Sequence, residues 1–319
     1  MLILIPLTLA FALTIWSSAL LMKVGSNWLI DLPSERKIHD KPVPRTGGLS
    51  IGAVYFSVIF FLGFGPLLWW YLAGGSVIYI LGVLDDHKPI RWQVKLVVQL
   101  IIASLIIYRF VGEITSVAFF SSNLNFPTLG LITVFLIWFV GILNAINLID
   151  GMDGLAGGFM VLVTVFSIII GVMNEANLFL TLNASLLGTL IGFLLFNSKP
   201  ASYFMGDSGS LFLGYHVACL PLLYYQSMDG KAILQITPFL ILSSFLIMDT
   251  TRVFFSRALR RQNPMNADTI HLHHLVLKET KSYVGTLMPI FVVTLITGIG
   301  AVLFFQYYFG YLVMQLFLL

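Results

Sequence analysis

Long apolar runs separated by short polar stretches are the main pattern along the chain. A membrane-spanning helix takes about 20 mostly apolar residues, and runs near that length recur from end to end. We predict ten spans, at 2–22, 47–64, 67–84, 92–109, 130–147, 155–173, 178–196, 208–226, 232–251 and 284–305. The tail at 306–319 extends the last span, lies along the interface or forms an eleventh span. Alternating residues at 110–130 predict a small hairpin.

The basic residues orient these spans. Fifteen of the 17 Lys and Arg residues fall in loops on one side, and only Arg109 and Lys231 fall on the other. The positive-inside rule places the first side in the cytoplasm and both termini outside. Eleven of the 14 acidic residues share the cytoplasmic side, so we expect a cytoplasmic active-site face.

Composition agrees with a membrane protein. Of the 319 residues, 58% are hydrophobic and 10% are charged, whereas soluble domains carry about 25% charged residues. We predict a single all-α polytopic domain over 1–319, with a retained first span because no basic residue precedes its apolar core. Cys219, the only cysteine, excludes an intrachain disulfide and is expected to be a buried, inert thiol.

The stretch 144–158, NAINLIDGMDGLAGG, places Asn144, Asn147, Asp150 and Asp153 at every third position. Each such step turns about 300° around an α-helix, so one straight helix cannot aim all four at one ligand. The four glycines predict a helix that ends near residue 148, a break at 150–151 and a new helix, whose N-terminus suits a phosphate. Alternatively, the stretch is a glycine-rich contact between helices that amides join by hydrogen bonds, which would explain the glycines and asparagines but not the two acids. We expect this packing role for Asn144.

Two further polar clusters stand at predicted span ends. Asp85 and Asp86 close the third span, where acids oppose the helix macrodipole. They are either a solvated terminus paired with Lys88 or a place for a cation or a proton. In FNSKPASYFMGDSGS, Asp207 and Ser208 open the eighth span. Either could act as a helix cap, and a cap does not exclude a site.

The first and last cytoplasmic loops carry the remaining candidates. Pro33, Pro42 and Pro44 keep the first loop from forming a helix. Its basic residues before a glycine pair are either a phosphate cradle or a positive-inside anchor. The last loop has three clustered histidines, which suggest zinc by spacing, or phosphate binding and proton transfer. His216, inside the eighth span, is expected to be a packed core residue.

Together these clusters combine acids, bases and small residues at one membrane surface, which suits Mg²⁺-assisted phosphoryl transfer. Five stretches, in this order, resemble the polyprenyl-phosphate N-acetylhexosamine-1-phosphate transferases, the superfamily of the phospho-MurNAc-pentapeptide translocase. They are RKIHDKPVPRTGG, GVLDD, NAINLIDGMDGLAGG, FNSKPASYFMGDSGSLFLG and HLHH. The HLHH form is similar to the branch that uses UDP-GlcNAc.

The resemblance implies Mg²⁺-dependent transfer of GlcNAc-1-phosphate from UDP-GlcNAc to undecaprenyl phosphate, the first membrane step of a cell-envelope glycan, with release of UMP. Mn²⁺ is the alternative metal. The resemblance also implies a ten- or eleven-span fold in the bilayer of the bacterial plasma membrane, a homodimer, sensitivity to tunicamycin-type nucleosides and no nucleic-acid partner.

The resemblance assigns roles to matching positions. The expected catalytic residues are Asp85, Asp86, Asp150, His273 and His274. The expected metal-binding residues are Asp207, Asp150 and Asp86. The expected substrate-binding residues are Lys41, Arg45, Asn147, Asp153, Asn197, Phe204, Asp249, Arg252 and His271. Among these, Phe204 is expected to stack on uracil, with Asn197 and Asp153 in the nucleotide pocket.

One departure leaves the amino sugar open. The family often has a basic residue after the aspartate that precedes the histidines, whereas Thr269 follows Asp268 here. Another UDP-N-acetylhexosamine is therefore the alternative donor. A transporter or flippase would also contain broken helices and acids, but these acids cluster at one surface and no internal repeat is visible. A zinc hydrolase rests on the histidines alone.

Overall fold

The computed structural model describes residues 3–24, 29–31, 42–64, 68–120, 122–228, 233–261 and 270–317. The helices are α1 Leu4–Val24, α2 Gly47–Phe61, α3 Trp69–His87, α4 Trp92–Phe110, α5 Thr128–Ile149, α6 Leu155–Met173, α7 Asn177–Asn197, α8 Gly206–Ser227, α9 Thr237–Leu242, α10 Ser244–Leu259, α11 Leu272–Thr280 and α12 Tyr283–Phe317. The strands are β1 Ile30–Asp31, β2 Val43–Pro44, β3 Ser116–Phe119, β4 Ser122–Leu124 and β5 Ile233–Gln235.

Helices lie at all ten predicted span positions, and nine of these positions hold one continuous helix. Within the described residues, six helices are long and apolar enough to cross a membrane, namely α1, α4, α5, α6, α7 and α12. Helix α2 is apolar but has only 15 residues. The chain is therefore a mostly helical, multi-pass membrane protein.

The prediction of one helix at 232–251 is wrong. Residues 233–235 form β5, and the helical part that follows is divided at Ser243 into α9 and α10. Pro238 stands in the first turn of α9, where its missing N–H costs nothing. The ψ angle of Ser243 is 5° instead of a helical value. The two halves pack on different neighbours, α9 on α12 and α10 on α5.

Two smaller predictions are resolved by the same structure. The hairpin expected at 110–130 is confirmed, because β3 and β4 pair antiparallel with Val117 opposite Leu124. Strand β5 adds to β3 in parallel, which the sequence did not indicate. The tail continues α12, which runs for 35 residues as one helix instead of forming an eleventh span.

The helices differ in how much of their surface is buried, with α8 at the centre and α4 and α12 at the periphery. Helix α8 is buried along almost its whole length and packs against α2, α3 and α5. The faces of α4 and α12 that are exposed carry large apolar side chains such as Ile101, Leu105 and Ile296. His216 is confirmed as a core residue, with Nδ1 2.8 Å from the Tyr71 hydroxyl. Cys219 is likewise buried.

Candidate active site

One cavity of about 640 Å³ forms where the ends of α3, α5 and α7 meet the starts of α6, α8 and α12. The site residues from the sequence that line it are Arg45, Asp86, Asn147, Asp150, Asp153, Asn197, Phe204, Asp207 and His274. Those that are described but do not line it are Asp85, Asp249, Arg252, His271 and His273. Lys41 lies outside the described residues.

The predicted break in the 144–158 stretch is confirmed. Helix α5 ends at Ile149, Asp150 leaves helical geometry with ψ 54°, and α6 begins five residues later. Because the chain turns here, Asn147 and Asp153 lie on different segments yet both line the cavity. Asn144 is one turn deeper and donates from Nδ2 to Gln99 Oε1 at 2.7 Å, so it joins α5 to α4 as expected.

Asp207 is held by side chains from two other helices. Asn147 on α5 donates from Nδ2 to Asp207 Oδ1 at 2.8 Å and to Ser210 Oγ at 2.8 Å. Lys95 on α4 places its ammonium 3.7 Å from Asp207 Oδ2. These contacts fix the carboxylate at the wall of the cavity and leave it a partly exposed surface.

Asp86 is anchored to the beginning of α8. Its two carboxylate oxygens accept the backbone N–H groups of Asp207 and Ser208 at 2.8 and 2.9 Å. These are unpaired donors of a helix N-terminus, which also favours negative charge. The close approach needs Gly82, because a Cβ there would lie 2.5 Å from the Asp207 carbonyl oxygen. Asp86 therefore caps α8 across space while it faces the cavity.

Asp85 does not line the cavity and is buried. One oxygen accepts the Ile90 N–H at 2.6 Å, and the other lies 2.6 Å from Lys95 Nζ. Lys95 thus bridges Asp85 and Asp207. Asp85 therefore influences the cavity through its ion pair with Lys95, whereas the neighbouring Asp86 lines the cavity itself.

Asp150 lies close to other carboxylates, and its pKa reflects burial and the charges of these neighbours. Burial, together with the charges of Asp207 and Asp86, raises the pKa of Asp150 to about 8. A cation among these acids would favour its ionised form. In the part of the chain that the structure describes, no three His, Cys, Asp or Glu side chains form a metal site by themselves. Mg²⁺ usually takes one or two carboxylates plus substrate phosphates, so the donor set fits an ion whose ligands are shared with substrate.

Asn197, Asp153 and Phe204 line a second part of the cavity, here called the Phe204 end, and the part lined by Asp86, Asp150 and Asp207 is called the acidic end. Asn197 accepts the Gly154 N–H at 2.9 Å and donates to the Tyr203 carbonyl at 2.9 Å. Asp153 Oδ2 accepts the Ala201 N–H at 3.1 Å. The loop that carries Phe204 is in this way tied to the start of α6, which leaves an aromatic ring and polar groups on one wall.

The first loop contributes backbone as well as charge. Phe204 donates its N–H to Pro44 at 2.8 Å, and its carbonyl accepts the Gly47 N–H at 2.9 Å. Strands β1 and β2 pair antiparallel, which brings Arg45 into an ion pair with Asp31. Arg45 and Asp31 both line the cavity. Pro44, which disfavours a helix, lies in strand β2, and its carbonyl accepts the Phe204 N–H.

Contacts around Asp249, here called the bracket, join α10 to the start of α11. The Asp249 carboxylate binds Arg252 Nη2 at 2.8 Å, His271 Nδ1 at 2.9 Å and the Leu272 N–H at 3.1 Å. Arg252 also donates to the Ile270 carbonyl at 2.6 Å. These contacts attach the start of α11 to α10, which is a positioning arrangement.

His273 joins this bracket to the helix break. Its ring is buried, and burial followed by the nearby His274 and His271 lowers the pKa of His273 to about 3. A Cβ on Gly151 would lie 2.6 Å from His273 Nε2, so the ring occupies the space that a side chain at 151 would need. His274, the next residue, is the histidine that lines the cavity.

Three functional candidates were missed from the sequence. From the sequence, Lys95 is only one of the basic residues on the cytoplasmic side, because a lysine near the end of an apolar helix ordinarily extends to the interface. Lys199 and Tyr283 both line the cavity, but they lie far apart in sequence. No periodicity or motif could have joined them.

The comparisons with known proteins agree with this arrangement. The model of glycosyl transferase family 4 matches residues 68–225. A probable undecaprenyl-phosphate N-acetylglucosaminyl 1-phosphate transferase of Bacillus subtilis strain 168 is 35% identical over 286 residues, which cover 88% of this chain and 78% of that protein. Undecaprenyl-phosphate alpha-N-acetylglucosaminyl 1-phosphate transferases of Thermotoga maritima and Escherichia coli K12 are 29% and 26% identical, over 77% and 80% of this chain and 72% and 70% of those proteins.

The matched region contains the acids at the end of α3, the α5–α6 break, the end of α7 with the loop after it, and the start of α8, which together supply most of the residues that line the cavity. The Bacillus subtilis relative extends the similarity over most of the chain. The chain therefore belongs to the polyprenyl-phosphate N-acetylhexosamine-1-phosphate transferase family, within glycosyl transferase family 4.

Proposed function

We propose that this enzyme transfers GlcNAc-1-phosphate from UDP-GlcNAc to undecaprenyl phosphate, giving undecaprenyl-pyrophosphoryl-GlcNAc and UMP. The observation that carries the proposal is one cavity that is lined both by clustered carboxylates and by the Phe204 loop. Relatives that cover most of the chain bear the name of this activity for undecaprenyl phosphate.

The Phe204 end suits the nucleoside. An aromatic face stacks on a base, and each such contact contributes about 1–3 kcal/mol. The polar side chains of Asp153 and Asn197 flank it, and the backbone bonds of Phe204 to the first loop fix the ring before substrate arrives. The uridine at this end would direct its diphosphate toward Asn147, Asp150 and Asp207.

The acidic end suits Mg²⁺, with Asp207 and Asp150 as its carboxylate ligands and Asp86 adjacent. When bound, the ion neutralises charge on the diphosphate and orients the leaving group. Asn147 holds Asp207 in place by a hydrogen bond to Oδ1. The raised pKa of Asp150 supports a cation at this end, because a positive charge would offset the crowding of acids.

The lipid phosphate would approach from α4. The outer face of this helix is exposed and apolar, and Lys95 stands one turn from its start, beside Asp207. We favour direct attack. A non-bridging oxygen of the lipid phosphate forms a bond to the β-phosphorus, and the bond from that phosphorus to the α–β bridging oxygen breaks, so that UMP leaves.

Asp85 and Asp86 assist in this scheme by position. Asp85 holds the Lys95 ammonium where it meets the incoming phosphate, and Asp86 holds the start of α8. A two-step route would first place a phosphoryl group on an aspartate. Trapping such a covalent intermediate with UDP-GlcNAc alone would replace direct attack.

The proposed setting is the bacterial plasma membrane. We propose ten spans with both termini outside and the cavity open to the cytoplasm, where nucleotide sugars are made. The excess of basic residues on the cavity side supports this orientation. We also propose that the protein is a homodimer, and this part of the proposal rests only on the family resemblance.

The test is a reconstitution. Purified protein is incubated with undecaprenyl phosphate, Mg²⁺ or Mn²⁺, and a panel of UDP-N-acetylhexosamines, and UMP is measured. We expect UMP with UDP-GlcNAc that depends on the lipid and on metal. If UMP is released only with another UDP-N-acetylhexosamine, that sugar replaces GlcNAc in the proposal. If no donor gives lipid-dependent UMP, the proposal is rejected.

Substitutions connect this activity to the cavity. Asp207→Asn and Asp86→Asn are each expected to abolish UMP release while the protein stays folded, because each removes a charge from the acidic end. Glu279→Gln, on the exposed end of α11, is the matched control and should retain activity. Full activity in either aspartate variant would remove that residue from the mechanism.

A further inference from the structure

A lysine and a tyrosine from distant parts of the chain meet at the rim of the cavity. Lys199 follows α7 on the loop that leads to Phe204, and Tyr283 is the first residue of α12. The Lys199 ammonium lies 4.3 Å from the centroid of the Tyr283 ring. Both side chains line the cavity, and neither belongs to the residues that the sequence pattern selected.

This placement of the lysine is informative because the cavity that it lines is rich in acids. Asp31, Asp86, Asp150, Asp153 and Asp207 all line the same cavity. Among the described residues, these acids form ion pairs with Arg45, which binds Asp31, and with Lys95, which binds Asp207. Asp153, the acid on the neighbouring segment, instead accepts the Ala201 N–H. Within the part of the chain that the structure describes, the Lys199 ammonium rests on an aromatic face and forms no ion pair with a carboxylate.

An aromatic face orients a cation without consuming its donors. Such a contact contributes about 0.5–1 kcal/mol at an exposed site, which is enough to restrict a long side chain. An ammonium has three N–H donors, so those not directed at the ring remain for an anion. The Tyr283 hydroxyl is also buried without a partner among the described residues, which adds a second polar group at this rim.

We propose that Lys199 binds the diphosphate of the incoming nucleotide sugar and that Tyr283 positions it by the cation–π contact. Lys199 shares a loop with Phe204, whereas Lys95, which faces the proposed lipid path, lies on α4. The rim lysine therefore serves the nucleotide and not the lipid phosphate. This inference rests on the proposed function for the identity of the anion.

The experiment uses the full chain in detergent. UMP release is measured against UDP-GlcNAc at saturating undecaprenyl phosphate, and against the lipid at saturating UDP-GlcNAc. Binding of UDP without chemistry is measured by calorimetry. Lys199→Met is expected to raise KM for UDP-GlcNAc and Kd for UDP by about fivefold, the upper range for one exposed charge pair. The KM for lipid should not change.

Four further variants separate position from charge. Lys199→Arg should restore near-normal binding, because a guanidinium also stacks on tyrosine. Tyr283→Phe keeps the ring and should lose less than Tyr283→Leu. The double variant Lys199→Met with Tyr283→Leu should bind UDP no more weakly than Lys199→Met alone. Lys278→Met, on the exposed part of α11 and outside the cavity lining, is the matched control.

Two results would overturn the inference. Unchanged Kd for UDP in Lys199→Met removes the lysine from nucleotide binding, even where turnover falls. A rise in the lipid KM alone assigns the lysine to the other phosphate. The proposed function fails separately, if the unmodified protein releases no lipid-dependent UMP while it still binds UDP.

Discussion

Asp207 is contacted by side chains from three other helices, α3, α4 and α5. It receives Asn147 from α5 and Lys95 from α4, and its backbone N–H is bound by Asp86 from α3. Each contact restricts the carboxylate, so the acidic end of the cavity is formed before substrate binds. Preorganised groups of this kind need no rearrangement during the reaction.

Lys95 gives the first prediction at this scale. Lys95→Met should lower kcat/KM for UMP release by about 100-fold, a loss typical of removing one preorganised charge contact. It also leaves the buried Asp85 carboxylate without its cation. Lys88→Met, an exposed lysine at the end of α3, is the control and should behave as the unmodified protein. Similar rates for the two variants would exclude the role.

His273 gives the second prediction, on pH. Its pKa in the folded protein is about 3, below the ordinary value of 6.5. As pH falls below 6.5 the unfolded chain takes up this proton and the folded chain does not, so the free energy of unfolding decreases.

Thermal unfolding of His273→Gln should therefore depend less on pH between 7 and 4 than that of the unmodified protein. The histidine contributes at most about 1.4 kcal/mol per pH unit in this window. His87→Gln, an exposed histidine at the end of α3, is the control. Parallel curves for His273→Gln and the unmodified protein would contradict the burial of the ring.

At the scale of elements, broken helices and close approaches place these residues. The turn between α5 and α6 sends Asn147 and Asp153 to one cavity from two segments. Gly82 on α3 lets Asp86 reach the first N–H groups of α8. The bracket around Asp249 then holds α11 so that His273 rests against the break.

The prediction at this scale concerns Gly82. In Gly82→Ala the new methyl would lie 2.5 Å from backbone atoms of Asp207 and Ser208, which cannot move as a flexible side chain would. We expect a loss of about 1–3 kcal/mol in stability and a larger loss of UMP release. Gly141→Ala, where nothing lies within 4 Å, is the control. An active, equally stable Gly82→Ala protein would contradict the close contact.

The sequence predicted where helices begin and end better than it predicted which side chains contact one another. The break at 150–151 was predictable, because three-residue spacing and glycines conflict with one straight helix. The partners of Asp85 and Asp86 were not, because adjacent residues on a helix point in different directions and only the neighbouring helices decide what each meets. Lys199, on the loop after α7, and Tyr283, at the start of α12, meet for the same reason, through a tertiary contact that no local pattern encodes.

At the scale of the whole molecule, charge asymmetry and the cavity agree. The cavity is lined by residues of the loops and helix ends that carry most of the basic residues, and the β3–β4–β5 sheet lies in the loops expected on the other side. The ninth helical position was mispredicted because hydropathy averages over 232–251 and does not register the change of neighbours at Ser243.

Orientation gives the prediction at this scale. Cys219 is buried, so Cys219→Ala provides a background without cysteine. Ser122→Cys, on the exposed part of β4, should react with a membrane-impermeant maleimide in intact cells. Lys278→Cys, on α11, should react only after permeabilisation. Labelling in the reverse order would place the cavity outside the cytoplasm.

The central claim is that the β-phosphate travels with the sugar, and one measurement tests it most directly. UDP-GlcNAc labelled with ³²P in the β-phosphate is incubated with the purified protein, Mg²⁺ and undecaprenyl phosphate, and the lipid and nucleotide fractions are counted. The account predicts ³²P in the lipid, with unlabelled UMP in equal amount. Labelled UDP in the aqueous fraction, with an unlabelled lipid-linked sugar, would contradict it.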